Sequence, residues 1–240
     1  MMTFRDTFDL FVFDLDGTLI DSGRDIAASL NYALATLNLE PLPYEQVLRC
    51  VGRGARVLLE RALTLNDATR KVSDLATQVE TGLAAFLEHY REECTRRTEL
   101  YPGAAEALAG LADSTLAVHT NKPGLQCEKI LQNLGVRGEF QAVVNGDGRM
   151  ARAAGSHVSG VELRRKPAPD GLLALAEELR HPLDRILMIG DTTTDALTAR
   201  AAGVQVALVP YGFEPESAWE EPPDYRLDSL PDLLGPPAAR

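Results

Sequence analysis

Two carboxylates stand where an apolar segment of the chain ends. The segment from Phe8 to Leu15 is rich in aromatic and aliphatic residues, which is typical of a buried strand, and Asp14 and Asp16 lie at its end before Gly17. Residues two apart in a strand point to the same face, so these carboxylates repel each other unless a cation or a shared proton relieves the repulsion. An ordinary Asp-Gly turn is the alternative that needs no chemistry. The pair therefore suggests a metal site.

Length, composition and charge limit the classes of protein that fit the chain. With 240 residues it can bury a large core, as one domain or as one domain with an inserted subdomain. A net charge of -11 without a long run of Lys or Arg argues against a nucleic-acid partner. No apolar segment approaches the ~20 residues that cross a bilayer, and the N-terminal residues do not resemble a secretory signal. We therefore expect a cytoplasmic protein with no membrane partner.

Apolar residues at helical spacing dominate the chain from about residue 22 to residue 97. The first helix is predicted from Ser22 to Asn38, and Ser22 and Asp25 occupy the positions of an S-x-x-D capping box. Further helices are predicted over 44–49, 55–63 and 72–96. Residues 22–97 are therefore predicted to form an all-helical subdomain.

Strands and helices alternate after residue 98. The predicted strands are 115–119, 140–144, 185–189 and 205–209, with helices between them. Such alternation implies right-handed crossovers and a parallel sheet with helices on both faces. The helical subdomain separates the first strand from the others, so it must be an insertion. We predict an α/β protein with a doubly wound parallel core, residues 1–21 and 98–240, and an inserted all-helical cap, residues 22–97.

Polar residues also follow the other predicted strands, where ligands of parallel α/β sheets bind. Thr120 and Asn121 follow one strand, Lys166 lies in a loop that leads into a helix, and Asp191 and Asp195 follow the strand that ends at Ile189. Each has a simpler explanation by itself: a turn, a solvated cation or a helix N-cap. Together with the first carboxylate pair they favour phosphate chemistry.

The complete set resembles the haloacid dehalogenase (HAD) superfamily of phosphohydrolases. The matching motifs occur in the family's order over nearly the whole chain: Asp14-x-Asp16-Gly17-Thr18, Thr120-Asn121, Lys166-Pro167 and Gly190-Asp191-x-x-x-Asp195. The helical insertion resembles the family's small cap, and two segments resemble its phosphoglycolate phosphatase branch: Leu19-Ile20-Asp21-Ser22 and Lys166-Pro167-Ala168-Pro169. The resemblance implies a Rossmann-like core and a Mg²⁺-dependent hydrolase.

The resemblance also implies roles for the motif residues, and these roles make physical sense. Asp14 would attack phosphorus and form an aspartyl-phosphate, which divides the hydrolysis into two easier steps. Attack by one anion on another requires neutralisation, which Mg²⁺ and Lys166 would supply. Asp16 would protonate the leaving oxygen and later deprotonate the attacking water.

The same resemblance assigns the ligands of the metal and of the phosphate. Mg²⁺ prefers oxygen ligands, and Asp14, the backbone carbonyl of Asp16 and Asp191 would provide them, with Asp195 orienting the site from nearby. The expected phosphate-binding residues are Thr120, Asn121, Lys166 and Gly17. Gly17 would allow close approach of the backbone.

Substrate specificity is expected to come from the cap. The loop Gly52-Arg53-Gly54 is the best candidate for a segment facing the site, and Arg53 could pair with the carboxylate of 2-phosphoglycolate or with a second phosphate. The alternative is that Arg53 and Arg56 lie at a solvated helix start. An unusual insertion, residues 146–165, precedes Lys166; it could form a hairpin flap that turns near Gly155-Ser156 or a surface loop.

The leading hypothesis is a Mg²⁺-dependent phosphatase for a small phosphomonoester, most like 2-phosphoglycolate, acting as a monomer or homodimer. A sugar-phosphate mutase of the β-phosphoglucomutase type would keep the same core motifs and change the fate of the phosphoaspartate. A pyrophosphate or nucleotide phosphatase is a further alternative. A non-enzymatic phosphate-binding protein is disfavoured because every chemical position is filled.

Overall fold

The computed structural model describes residues 2–66, 72–152 and 162–237. Its elements in chain order are α1 (Phe4–Thr7), β1 (Leu10–Phe13), β2 (Ile20–Asp21), α2 (Gly23–Thr36), α3 (Tyr44–Leu48), α4 (Ala55–Asn66), α5 (Val72–Glu93), β3 (Glu99–Leu100), α6 (Ala104–Gly110), β4 (Thr115–His119), α7 (Gly124–Asn133), β5 (Ala142–Val144), β6 (Met150–Arg152), α8 (Asp170–Leu179), β7 (Ile186–Gly190), α9 (Thr193–Ala202), β8 (Gln205–Leu208) and β9 (Tyr225–Arg226). None of the described helices is both long and apolar enough to cross a membrane.

A seven-stranded sheet with the order β6-β5-β4-β1-β7-β8-β9 forms the centre of the molecule. All neighbouring strands are parallel except β5 and β6. Phe13 at the end of β1 is in register with Val118 of β4 and with Ile189 of β7. Because these strands end at the same level, the polar residues that follow them meet at the carboxyl ends of the central strands.

The central strand β1 is buried on both faces, as expected for a parallel sheet between helices. Phe11 and Phe13 pack into the apolar cluster on one face, and Leu10 and Val12 pack into the cluster on the other. The first cluster contains residues of α6 and α7, and the second contains residues of α8 and α9. The predicted doubly wound α/β fold is confirmed.

The helices α2 to α5 lie in the chain between β2 and β3, which pair as a short antiparallel ribbon. In this ribbon Ile20 is opposite Leu100 and Asp21 is opposite Glu99. We keep the name cap for residues 22–97. Within it α2 packs against α3 and α5, and α4 packs against α5, through apolar residues that include Leu30, Leu59 and Phe86.

The predicted capping box at the start of α2 is wrong. The hydroxyl of Ser22 makes no cap hydrogen bond and instead donates to Asp16 Oδ1 at 2.5 Å. The carboxylate of Asp25 accepts from the backbone N–H groups of Arg97 and Thr98, both at 2.9 Å, and from the Thr98 hydroxyl. Buried polar groups need partners, and both side chains find them outside the helix, so the S-x-x-D pattern connects α2 to the site and to the ribbon.

Several short elements were not predicted. The strands β2, β3 and β9 have two residues each, and α1 has four, so local periodicity is too short to indicate them. The strand β6 pairs antiparallel with β5 at the sheet edge and belongs to the 146–165 insertion. After the insertion, the backbone N–H of Leu163 donates to the carbonyl of Gly148 at 2.9 Å. The hypothetical turn near Gly155-Ser156 lies outside the described residues.

Candidate active site

The candidate site lies at the carboxyl ends of β1, β4 and β7. The backbone N–H of Asp14 donates to Ile189 O at 2.8 Å, and that of Thr120 donates to Val144 O at 2.9 Å, so strand pairing fixes both residues. Asp14, Thr120 and Asp191 are all buried. Asp14 and Asp191 are 177 positions apart in the sequence (191 − 14). They come together because each follows a strand of the same sheet.

Three buried carboxylates lie close together at these strand ends. Ligand oxygens of Asp14, Asp191 and Asp195 all lie within 4.8 Å of one another. Burial raises the pKa of Asp14 to about 7, although the attraction of Lys166 acts in the opposite direction. Burial and the neighbouring carboxylates also raise the pKa of Asp191 well above its usual value. Three carboxylates exceed the charge of one lysine, so this donor set fits a hard divalent cation bound through oxygen.

Lys166 is the cation inside this cluster. Its ammonium lies 2.8 Å from Asp14 Oδ1 and 2.6 Å from Asp195 Oδ1, and its side chain is 1% exposed. Burial alone would lower the pKa of Lys166, but the two carboxylates raise it, so the lysine stays charged. A fixed positive charge beside Asp14 is available to neutralise an anion that approaches this carboxylate.

Asp195 shapes the loop that carries Asp191. Its Oδ2 accepts from the hydroxyl of Thr192 at 2.7 Å and from the backbone N–H of Thr192 at 3.1 Å, which forms a capping box at the start of α9. Its other oxygen accepts from Lys166. Asp195 therefore orients both the lysine and the loop.

Asp191 is held by groups from two distant loops. Its Oδ1 accepts from the Thr18 hydroxyl at 3.0 Å, and its Oδ2 accepts from the backbone N–H of Phe213 at 2.7 Å. A Cβ at Gly17 or at Gly212 would lie 2.3 Å from an atom of the Asp191 side chain. Gly17 also has a φ of 90°, which disfavours other residues. A side chain at either position would therefore displace the Asp191 carboxylate.

The side chain of Asp16 points to a different set of partners from that of Asp14. Its Oδ1 accepts from Lys122 Nζ at 2.7 Å and from the Ser22 hydroxyl. Lys122 also donates to the hydroxyl of Tyr90, a residue of the cap helix α5. Sequence reasoning missed Lys122 and Tyr90. The position of Lys122 directly after Thr120-Asn121 was the available signal, whereas nothing in the sequence near Tyr90 indicated this contact.

The side chain of Asn121 links the loop that contains Lys166 to the cap. Its Nδ2 donates to the carbonyls of Gly52 at 3.0 Å and of Lys166 at 3.1 Å, and its Oδ1 accepts from the backbone N–H of Lys166 at 3.0 Å. The side chain of Asn121 is therefore engaged with the Lys166 loop and the cap. The hydroxyl of Thr120 accepts from the backbone N–H of Lys122 at 3.2 Å.

A cavity extends from the carboxylates toward the cap. Its polar wall includes Asp14, Asp16 and Lys122, and its cap wall is largely apolar, formed by residues that include Ile26, Val51, Leu58 and Phe86. Gly52 and Gly54 line this cavity, but Arg53 does not: it is exposed and lines an adjacent groove with Thr192 and Glu214. The loop predicted to face the site does so through its glycines.

Comparison with known proteins gives the family. The family model described as haloacid dehalogenase-like hydrolase matches residues 8–203. Phosphoglycolate phosphatase of Agrobacterium fabrum is 33% identical over 234 residues, covering 97% of this chain and 93% of the relative. That of Rhodospirillum rubrum is 38% identical over 207 residues, covering 85% of this chain and 80% of the relative.

A solved structure agrees with this result. The crystal structure of a predicted phosphoglycolate phosphatase from Haemophilus somnus 129PT matches with a TM-score of 0.80 at 29% identity, covering 98% of both chains. The residues matched by the family model include all four motifs around the buried carboxylates. The chain therefore belongs to the haloacid dehalogenase-like hydrolases and, like the relatives that it matches, it is a phosphatase.

Proposed function

We propose that the protein is a Mg²⁺-dependent phosphatase that hydrolyses a small phosphomonoester, most like 2-phosphoglycolate, through an aspartyl-phosphate. The observation that carries the proposal is the contact of Asp14 Oδ1 with the Lys166 ammonium, 2.8 Å apart, inside a cluster of three buried carboxylates. The names of the similar phosphoglycolate phosphatases support the choice of substrate.

In the proposed first step, a carboxylate oxygen of Asp14 attacks phosphorus and the bond from phosphorus to the ester oxygen breaks. Asp16 donates a proton to the leaving oxygen, so an alcohol departs. In the second step Asp16 takes a proton from water, which attacks the phosphorus of the phosphoaspartate and releases phosphate. Asp14 is then free as a carboxylate for the next cycle.

The charges around Asp14 decide whether it can act as a nucleophile. Since burial raises its pKa to about 7, a substantial fraction of Asp14 would be protonated at neutral pH without further positive charge. Bound Mg²⁺ would supply that charge. We propose that the carboxylates of Asp14 and Asp191 and the backbone carbonyl of Asp16 hold it. Asp195, already bonded to Lys166 and Thr192, orients the ligands from nearby.

Phosphate binding is assigned to the strand ends. We propose that Thr120, Lys166 and backbone N–H groups near Gly17 and Asn121 bind the phosphate oxygens, because Lys166 contacts Asp14, and Thr120 and Asn121 line the same cavity as Asp14. The division into a core of residues 1–21 and 98–240 and a cap of residues 22–97 is part of the same proposal. The apolar cap wall with Gly54 would enclose the organic part of a small ester, and Arg53 in the adjacent groove would attract its second anionic group.

Phosphate release measured with Mg²⁺ on a metabolite panel tests the proposal. The panel contains 2-phosphoglycolate, pyrophosphate, a nucleoside monophosphate and a hexose phosphate. We expect the highest kcat/KM on 2-phosphoglycolate and no detectable release by Asp14→Asn. The matched control is Asp9→Asn, which changes the same residue type at the opposite end of β1, where Asp9 pairs with Arg185 at the surface.

Three outcomes would contradict the proposal in different ways. Release by Asp14→Asn at the parent rate would exclude Asp14 as the nucleophile. Isomerisation of the hexose phosphate without free phosphate would identify a mutase. Inactivity of the parent protein on the whole panel would exclude the proposed substrate class.

A further inference from the structure

The side chain of Asp16 is held through one of its two oxygens. Among the described residues, the hydrogen bonds to this side chain both end on Oδ1, from Lys122 Nζ at 2.7 Å and from the Ser22 hydroxyl at 2.5 Å. Two donors on one oxygen fix the rotation of the carboxyl group. They leave Oδ2 as the oxygen that can exchange a proton with a substrate.

Lys122 is a buried cation rather than a surface lysine. Its side chain is 2% exposed, against 13% for Asp16, so water does not replace a lost partner at low cost. Burial alone would lower the pKa of Lys122, but Asp16 and Tyr90 raise it, and the ammonium stays charged. Among the described residues, Asp16 and Tyr90 are the acceptors of its hydrogen bonds, so the position of this buried charge depends on both.

Tyr90 supplies the second partner of this ammonium from the cap. Its hydroxyl accepts from Lys122 Nζ at 2.5 Å, and Nζ lies 4.8 Å from the centre of the Tyr90 ring. The ring is stacked on Phe86, one turn earlier in α5, with centroids 5.2 Å apart. Packing within the cap thus fixes the Tyr90 side chain. Its hydroxyl in turn fixes the Lys122 ammonium, which donates to Asp16.

We propose that Lys122 is a positioning residue that holds Asp16 for proton transfer and that Tyr90 makes this positioning depend on the cap. The inference rests on the proposed role of Asp16 as proton donor and acceptor. Lys122 acts through Asp16, whereas Lys166 contacts the nucleophile itself. The cap therefore contributes to the chemical step as well as to the cavity wall.

Leaving groups of different acidity provide the test. Proton donation by Asp16 matters for an alkyl ester such as 2-phosphoglycolate, whose alkoxide is a poor leaving group, and matters little for p-nitrophenyl phosphate. Lys122→Met is expected to lower kcat/KM about 100-fold on 2-phosphoglycolate but only about threefold on p-nitrophenyl phosphate, because a misplaced proton donor affects one reaction more than the other.

Tyr90→Phe tests the contribution of the cap without removing a buried charge. It keeps the ring and its stacking on Phe86. We expect a loss of about tenfold on 2-phosphoglycolate and almost none on p-nitrophenyl phosphate. Tyr32→Phe is the matched control, since Tyr32 is a cap tyrosine stacked on His89 with its side chain at the surface.

Lys129→Met is the control for the lysine. Lys129 also reaches from the core to α5, where its ammonium donates to Arg91 O, but it does not contact Asp16. This variant should affect both substrates equally. Circular dichroism and thermal unfolding establish that each variant is folded, and Tyr90→Phe carries the test if Lys122→Met is not.

The outcomes separate this inference from the proposed function. If the parent protein releases phosphate and Asp14→Asn does not, the proposed function stands. Equal losses on both substrates in Lys122→Met and Tyr90→Phe would then overturn the positioning role. If the parent protein releases phosphate from neither substrate, the proposed function itself fails.

Discussion

The two lysines of the site differ in which parts of the molecule hold them. Lys166 contacts Asp14, which follows β1, and Asp195 in the first turn of α9, so both partners belong to the core. Lys122 contacts Asp16 of the core and Tyr90 of the cap. We call Lys166 and the carboxylates of Asp14, Asp191 and Asp195 the nucleophile half of the site. We call Lys122, Asp16, Ser22 and Tyr90 the proton-transfer half. Their difference indicates that the core alone builds the charge arrangement around the proposed nucleophile, whereas core and cap together orient the proposed proton donor.

Replacing Lys166 by Met should have the largest effect, because it breaks the nucleophile half. It leaves buried carboxylates without their cation, and we expect a loss of about 3 kcal/mol in the free energy of unfolding of the metal-free protein. We also expect kcat/KM to fall about 10²- to 10³-fold on any phosphomonoester. Urea unfolding and phosphate release measure the two effects. An unfolding free energy equal to that of Lys129→Met would contradict this account.

Gly212→Ala tests the nucleophile half because the added methyl group would crowd the Asp191 side chain. The new Cβ would lie 2.3 Å from the Asp191 side chain, so the carboxylate must shift. We expect the Mg²⁺ concentration for half-maximal activity to rise about 10- to 100-fold, as when groups that orient metal ligands are lost. Gly138→Ala is the control, since no other part of the described residues lies within 4 Å of a Cβ at Gly138. Unchanged Mg²⁺ dependence would show that Asp191 does not bind the metal.

The raised pKa of Asp14 predicts how metal removal changes stability. Between its usual pKa of 3.8 and its folded value of about 7, the folded protein binds a proton that the unfolded chain has released. The free energy of unfolding in EDTA should therefore fall as pH rises through this range, and change little above it. Urea unfolding of the parent and of Asp14→Asn isolates this contribution as a difference.

The control for this pH series is the same measurement with Mg²⁺ in place of EDTA. Saturating Mg²⁺ should remove most of the fall in the parent's free energy of unfolding as the pH rises, because a bound cation favours the carboxylate form of Asp14. Parallel pH curves for the two metal-free proteins would mean that the pKa of Asp14 is not raised in the folded state.

Ser22→Ala should have the smallest effect and concerns the proton-transfer half. It removes one of two hydrogen bonds to Asp16 Oδ1 and leaves Lys122 in place. We expect a loss of about 1 kcal/mol in stability and about three- to tenfold in kcat/KM on 2-phosphoglycolate. Ser29→Ala removes an equally buried cap hydroxyl, which bonds to His89. A larger kinetic loss in Ser29→Ala would argue against a specific role for Ser22.

The sequence predicted the nucleophile half far better than the proton-transfer half. In the first, Asp14 follows β1 and Asp191 follows β7, and the register of these parallel strands brings their ends together, so the two carboxylates could be associated without coordinates. Contacts of Lys122 with Tyr90 depend on how α5 packs on the core, which no local pattern specifies. Ser22 shows the same limit, because its local pattern suggested a helix cap and its tertiary partner is Asp16.

The ribbon of β2 and β3 has a consequence for how this architecture can vary. The chain leaves the core and returns side by side: Ile20 pairs with Leu100, and Tyr101 N donates to Leu19 O at 3.0 Å. An insertion whose two ends already touch can be lengthened, replaced or grafted without interrupting the sheet. The ribbon is thus a point at which the inserted segment can change while the sheet stays the same, and under the proposed role of Tyr90 a different insertion would need its own counterpart to this residue.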